Sequence, residues 1–352
     1  MNQFKLRHLP ELDALRTFAV VMVMLAHYLP DIGLRLPFSW YGVDLFFTIS
    51  GFLITTILIN AFKNNNGKNR LNIIKNFLIR RVFRLFPAYY FFLLFFWGLK
   101  NIFNIWIWRD EFTIYFFTYT PNWLFLKTGL NNAACFSHLW SLGVEEQFYL
   151  FWPWLLLFPP VKYRVGIILG MILISIILGF IYYDNSIAVL PFANFHTLGA
   201  GCLLAYFYTQ NASIINWLKK YRMWIVTVSF VNLLIVLYFF PGLSSFESVY
   251  RALSLSICTA ALVLVSIFGW AGVLKIVARN KLVQYIGKIS YGIYLYHLPI
   301  PVLTGLILTR MHLHVNNVVL FFAYFAITFV IAAISYKYLE MPFLKLKKRF
   351  ND

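Results

Sequence analysis

Charge is scarce in this 352-residue sequence. Asp, Glu, Lys and Arg make up 12% of it, and the acidic residues number only 12. A soluble domain carries about 25% charged and about 45–50% apolar residues. Here 61% of residues are hydrophobic and 20% aromatic, which excludes a soluble enzyme and a disordered chain. Cysteine is almost absent as well. Cys135, Cys202 and Cys258 show neither disulfide nor metal-type spacing, so a disulfide scaffold is excluded, and two of them, in apolar runs, read as small hydrophobes. Also missing are a P-loop, a dinucleotide glycine fingerprint, an HExxH helix and a GxSxG elbow.

What the chain does have is apolar length, with a mean hydropathy of +0.73. Its net charge of +18 comes from 30 Lys and Arg spread between apolar segments, as in the cytoplasmic loops of a membrane protein rather than a nucleic-acid patch. Lys5, Arg7 and His8 before an apolar stretch resemble a signal peptide. Asp13, Arg16 and His27 interrupt or flank that stretch and no small-x-small cleavage site follows, so it reads as a retained first span.

A span needs about 20 mostly apolar residues. Ten windows qualify: 12–30, 40–61, 83–106, 144–160, 164–183, 187–208, 223–240, 249–270, 287–309 and 316–338. The stretch 110–130 is broken by Thr120, Pro121 and Asn122 and reads as interfacial or re-entrant. With the N-terminus inside, 23 of the 30 basic residues fall on the cytoplasmic side and 6 on the other, Arg16 lying within the first span. This asymmetry predicts ten spans with both termini cytoplasmic. The expected fold is therefore all-α and polytopic, one transmembrane domain over 1–352 with no soluble domain appended.

An ionisable residue within a span points to function. Arg16 and His27 are eleven residues apart, close to three turns, and share a face with Asp13. Asp13 reads as a cap or as a member of that face, and Arg16 as a snorkelling cation or as part of a site. Asp44, near the outer end of the second span, lies level with His27; a carboxylate there orients an imidazole and raises its basicity. Asp31 is the rival partner. Thr48, Gly51 and Thr55 follow Asp44 at helical spacing, a small polar face for another helix or a ligand.

Arg81 and Arg84, one turn apart, are either topogenic anchors or, with Arg16, a cytoplasmic anion site. In SHLWSLGVEEQFYLFWP (137–153), Glu146 is expected to be a charge favoured by a helix N-terminus. Glu145, beside His138 and Ser141, is expected to line a cavity. In SYGIYLYH (290–297), His297 is packing or part of the site; His196 is similar but weaker. Glu340 pairs with Lys337 or a basic loop, or orders the arginines.

LDALRTFAVVMVMLAH (12–27), GVDLFFTISGFLI (42–54), RRVFRLFPAYY (80–90), HLWSLGVEEQFYLFWP (138–153) and ISYGIYLYH (289–297) closely resemble, in order and spacing, the integral-membrane acyltransferase 3 family. The resemblance implies ten transmembrane helices and transfer of acyl groups, commonly acetyl from acetyl-CoA, to envelope or exported glycans. It places the family's Arg-ten-His pattern on Arg16 and His27, the GVD aspartate on Asp44, the arginine pair on Arg81 and Arg84, and the motif glutamate on Glu145. Some members append an extracytoplasmic SGNH-type domain, which this sequence lacks.

The resulting expectation is an acyl-CoA-dependent O-acyltransferase of the bacterial cytoplasmic (inner) membrane. Arg16, Arg81 and Arg84 would hold the CoA donor. His27, oriented by Asp44, would act as general base or briefly carry the acyl group, and Glu145 would position the acceptor or share the base role. Asp13, His138, Ser141, Tyr291 and His297 would support them. Neither a permanently bound cofactor nor a metal is expected. The partners are acyl-CoA as co-substrate, a glycan or lipid-linked saccharide acceptor and membrane lipid, with no nucleic acid. The competing class is a transporter of an anionic or lipid-linked glycan. The lack of a visible paired, broken-helix repeat tells against it.

Overall fold

A computed structural model describes residues 9–29, 41–103, 108–182, 187–240 and 244–346, and every regular element among them is helical. Three helices open the fold: α1 (Pro10–Tyr28), α2 (Gly42–Asn64) and α3 (Arg70–Phe103). Two short ones follow, α4 (Phe112–Phe117) and α5 (Pro121–Thr128), and then α6 (Leu139–Leu157), α7 (Arg164–Ile181), α8 (Phe195–Gln210), α9 (Ala212–Phe239) and α10 (Ser245–Phe268). The chain continues through α11 (Gly272–Arg279), α12 (Lys281–Lys288), α13 (Ser290–Tyr296), α14 (Pro299–Arg310), α15 (Asn317–Ser335) and α16 (Met341–Leu346).

Among the described residues, six helices, α2, α3, α7, α9, α10 and α15 with its continuation, are long and apolar enough to cross a membrane. The bent pair α13–α14, which turns by 43°, makes a seventh if it is one span. The other three expected windows also carry helices. α1 contains Glu11, Asp13 and Arg16, α6 contains Glu145 and Glu146, and α8 has only 16 residues. The apolar surface faces outward. Leu169, Leu173, Ile177 and Phe180 form one exposed row on α7, and Trp224, Val228, Val231 and Ile235 form another on α9. Helices whose apolar faces point away from the core need lipid around them. The chain is a multi-pass membrane protein.

The 110–130 stretch is not one continuous helix. α4 and α5 span six and eight residues, and Tyr119 between them takes a φ of 56°. At about 1.5 Å per residue neither crosses a bilayer. Tyr89 and Tyr90 of α3 pin the segment by donating to the carbonyls of Phe116 (2.9 Å) and Phe117 (3.0 Å).

Small residues set the helix crossings that shape the interior. A Cβ on Gly51 would collide with the Leu198 carbonyl, and one on Gly201 with the Thr48 carbonyl, so α2 and α8 meet backbone to backbone. The face Thr48–Gly51–Thr55 is accordingly filled by helices. Thr48 bonds Thr259 of α10 (2.8 Å), and Thr55 accepts from the Trp152 indole of α6 (2.8 Å). α1 crosses α12 as closely, with Gly287 against the Asp13 carbonyl and the Thr17 hydroxyl donating to the Val283 carbonyl at 2.6 Å.

Candidate active site

α1, α2, α3, α6 and α13 surround one cavity of about 80 Å³. α6 contributes Ser141, Glu145 and Tyr149, spaced four residues apart and so stacked on one face. Ser50 of α2 lies opposite and donates to Glu145 Oε1 at 2.7 Å, while the Tyr149 hydroxyl donates to Ser50 Oγ at 3.1 Å. This chain fixes the carboxylate on the cavity wall. Arg16 enters from α1, held by Asp13 in a 3.3 Å ion pair. Arg81 and Arg84 enter from α3, and the Arg81 guanidinium lies 5.2 Å from the Tyr149 ring and 5.3 Å from Phe77. Neither Arg81 nor Arg84 forms an ion pair among the described residues. Three guanidiniums against one wall carboxylate suit an anion, and a guanidinium's fork matches phosphate oxygens. Ser290, Tyr291 and Tyr294 of α13 close the cavity.

Beyond Tyr294 lies a histidine cluster. The His27 and His297 rings meet edge to face with centroids 5.0 Å apart, and His297 meets His138 at the same distance. Each ring has one nitrogen on a backbone carbonyl: His27 Nδ1 on Val23 (2.8 Å), His297 Nδ1 on Tyr294 (2.6 Å) and His138 Nε2 on Leu295 (3.0 Å). A carbonyl only accepts, so these nitrogens are the N–H donors. His297 Nε2 and His138 Nδ1 are buried without a hydrogen-bond partner among the described residues.

Comparison with known proteins decides the family. A profile described as "Acyltransferase domain" matches residues 9–337. The chain belongs to the acyltransferase 3 family. The peptidoglycan O-acetyltransferase OatA of Listeria monocytogenes is 29% identical over 388 residues, covering 100% of this chain and 59% of that protein. The O-acetyltransferase OatA of Staphylococcus aureus is 29% identical over 361 residues, covering 96% of this chain and 58% of its own length. The chain thus spans under two thirds of the relatives it matches. No solved structure matches it.

In this acyltransferase 3 chain the expected site residues fall into two groups. Arg16, Arg81, Arg84, Ser141, Glu145 and Tyr291 line the cavity, with Asp13 held on Arg16. His27, His138 and His297 form the adjoining cluster. The two groups touch through Tyr294, whose hydroxyl is 2.6 Å from Ser141 Oγ and whose ring is 5.3 Å from His297. Asp44 is in neither group, although its neighbours Val43 and Phe46 line the cavity. It lies in the first turn of α2, and no hydrogen bond or ion pair joins it to His27 among the described residues. Asp31, the rival partner, lies outside the described residues.

One further expectation needs correcting, and two resolve among their alternatives. Glu146 is not at a helix N-terminus, because α6 already starts at Leu139 and has no acid in its first turn. Its Oε1 is buried without a hydrogen-bond partner among the described residues, in electrostatic reach of Tyr89, Tyr119 and Tyr291. For Glu340 the alternative toward the arginines fits and the pair with Lys337 does not, since Lys337 lies over the Tyr338 ring. Glu340 sits in a π-turn (Tyr336–Glu340), buried and within electrostatic reach of Arg84. His196 is packing: its Nδ1 lies 2.8 Å from both Ser175 Oγ and the Ala193 carbonyl. Ser50, Tyr149 and Tyr294 escaped the sequence reading. Ser50 belongs to the helix that carries Asp44, but on a different face from Thr48 and Thr55, and hydroxyls carry no charge signal.

Proposed function

We propose that this protein moves an acyl group, acetyl in the first instance, from acyl-CoA on the cytoplasmic face of a bacterial inner membrane to a hydroxyl of a cell-envelope glycan. The observation that carries this reading is the cavity in which Arg81 and Arg84, without ion-pair partners among the described residues, line one wall with Arg16 and Glu145. A thioester with a polyanionic tail is the donor such a wall suits: guanidiniums hold the phosphates and position the acyl end. On the acceptor side, His27 has Nδ1–H committed to Val23, so Nε2 is the nitrogen that removes the hydroxyl proton. Glu145, fixed by Ser50, orients the acceptor by accepting from another of its hydroxyls. The names of the relatives support peptidoglycan or a similar glycan as the acceptor.

The test uses the protein in lipid nanodiscs with acetyl-CoA labelled in its acetyl group and a muramic-acid-containing glycan fragment. Base-labile label on the glycan, together with stoichiometric free CoA, is the expected result. Binding or movement of the glycan without ester formation would overturn the reading in favour of a transporter.

A further inference from the structure

α2 and α6 run side by side in the same direction. Their contacts advance together along both helices or their first flanking residues: the Phe47 and Trp140 rings lie 6.0 Å apart, Ser50 bonds Glu145 at 2.7 Å, and the Trp152 indole donates to Thr55 at 2.8 Å. This register gives the cavity two unlike ends. One lies at Tyr149, where the Arg81 guanidinium covers the ring and Arg16 is in electrostatic reach of Arg81, Arg84 and Tyr149. The other lies at Ser141 and Leu142, about 10–12 Å back along α6. There Phe46, one turn before Ser50, sets its ring against Tyr294 with centroids 6.2 Å apart, and the Tyr294 hydroxyl is 2.6 Å from Ser141 Oγ. Ser141, Leu142 and Tyr294 are buried, whereas Arg16, Arg81 and Arg84 are only partly so. The cavity is therefore charged at its more open end and mainly apolar at its closed one.

We infer that Phe46 and Leu142 form an end stop for the acyl chain and restrict the donor to short apolar acyl groups, acetyl above all. On the proposed function, the guanidiniums hold the donor's anionic tail, so its acyl group points toward the closed end. The cavity's volume of about 80 Å³ is well below the roughly 300–1,000 Å³ of a site that encloses a drug-sized ligand, and only the reactive end of the donor enters it. A methyl group meets the Phe46 ring at about 3.5–4.0 Å. Its carbonyl then falls within one helical turn, about 6 Å, of Phe46, level with Ser50 and Glu145. Each added methylene has no space beyond the ring and pushes the carbonyl back toward the arginines. Phe46 cannot swing away freely, because Tyr294 backs it and is itself held on Ser141.

The test is acyl transfer to the glycan fragment by the protein in nanodiscs, with acetyl-, propionyl-, butyryl- and hexanoyl-CoA. Each turnover breaks the thioester C–S bond, forms the ester C–O bond and leaves the hydroxyl proton on CoA–SH. A misfitting methylene is worth about 10–200-fold in kcat/KM, so wild type should lose at least about tenfold from acetyl to butyryl. Phe46→Ala should raise the butyryl-to-acetyl ratio by about tenfold or more. Phe46→Leu, which disturbs packing less, and Leu142→Ala should raise it in the same direction. Leu53→Ala, one turn beyond Ser50 toward the arginines, should leave the ratio where it is. A merely structural role would lower both rates together. Equal wild-type rates for acetyl and butyryl would overturn the end stop without recourse to any variant, and so would an unchanged ratio in folded Phe46 and Leu142 variants; the proposed function survives either result. A wild type that forms no ester from any acyl-CoA overturns the proposed function and the end stop together.

Discussion

Ser50 on α2 donates to Glu145 on α6 across 2.7 Å, and Tyr149, one turn beyond Glu145, donates to the same serine at 3.1 Å. A half-buried carboxylate is thereby held by a hydroxyl that is itself held. Ser50→Ala leaves Glu145 without this donor. A hydrogen bond to a charged group is worth about 1.5–3 kcal/mol, so kcat/KM for glycan acylation should drop by roughly 10- to 150-fold. Ser50→Thr keeps a hydroxyl and should recover most of the loss. Steady-state kinetics of the three proteins decide it, and an unchanged Ser50→Ala enzyme would make the bond incidental.

Arg81 and Arg84 should govern the donor. Each alanine substitution is expected to weaken acetyl-CoA binding by about 1.5–3 kcal/mol through loss of a charge-assisted contact. Arg81→Lys should stay impaired, since a point charge does not reproduce the planar fork lying over Tyr149. Calorimetry with acetyl-CoA and with CoA lacking the 3′-phosphate checks this, and wild-type affinity in both alanine variants would reduce the pair to membrane anchors.

His27→Ala should lose acyl transfer by about 10²–10⁴-fold with acetyl-CoA binding preserved. No hydrogen bond joins Asp44 to His27 among the described residues, so the losses from His27→Ala and Asp44→Asn should multiply, as for independent sites. The readout is a double-mutant cycle on the transfer rate. A double variant no worse than His27→Ala would instead mean that the carboxylate and imidazole work as one unit during turnover.

The α2–α8 crossing should be intolerant of bulk. At Gly51 or Gly201 even one methyl meets a backbone carbonyl of the opposite helix, which cannot swing aside as a side chain would. Overpacking of this kind costs about 1–3 kcal/mol. Gly201→Ala should therefore lower the thermal midpoint in detergent, whereas Gly170→Ala on α7, with nothing near the added carbon, should leave it unchanged.

Orientation is open to direct labelling. All three cysteines are buried, so a Cys-free background carrying a single new cysteine gives a clean signal. Asn66→Cys and Ser213→Cys should react with an impermeant maleimide only after cells are opened. Labelling of either in intact cells would place the basic loops outside and reverse the proposed donor side.

Much of this protein is local in origin and legible in the sequence. Apolar length made the helices, and each of the ten expected windows carries one. Thr120-Pro121-Asn122 marked the break that separates α4 from α5, because proline has no N–H to continue a helix and fixes its own φ. Arg16, Arg81, Arg84 and Glu145 stood out because a charge in a span is costly enough to need a reason, and they do share one cavity wall. What the tertiary structure decided is which faces meet. Gly51 and Gly201 let α2 and α8 touch, which buries Thr48 and Thr55 and leaves Ser50 to face Glu145. α6 begins at Leu139, so Glu145 and Glu146 sit more than a turn inside it, one bonded and one not. His27 meets histidines from α13 and from the residue before α6, contacts that no spacing along α1 foretells. Periodicity assigns a residue to a face of its own helix; the rotation and crossing of that helix against its neighbours depend on contacts hundreds of residues apart, and those set the site.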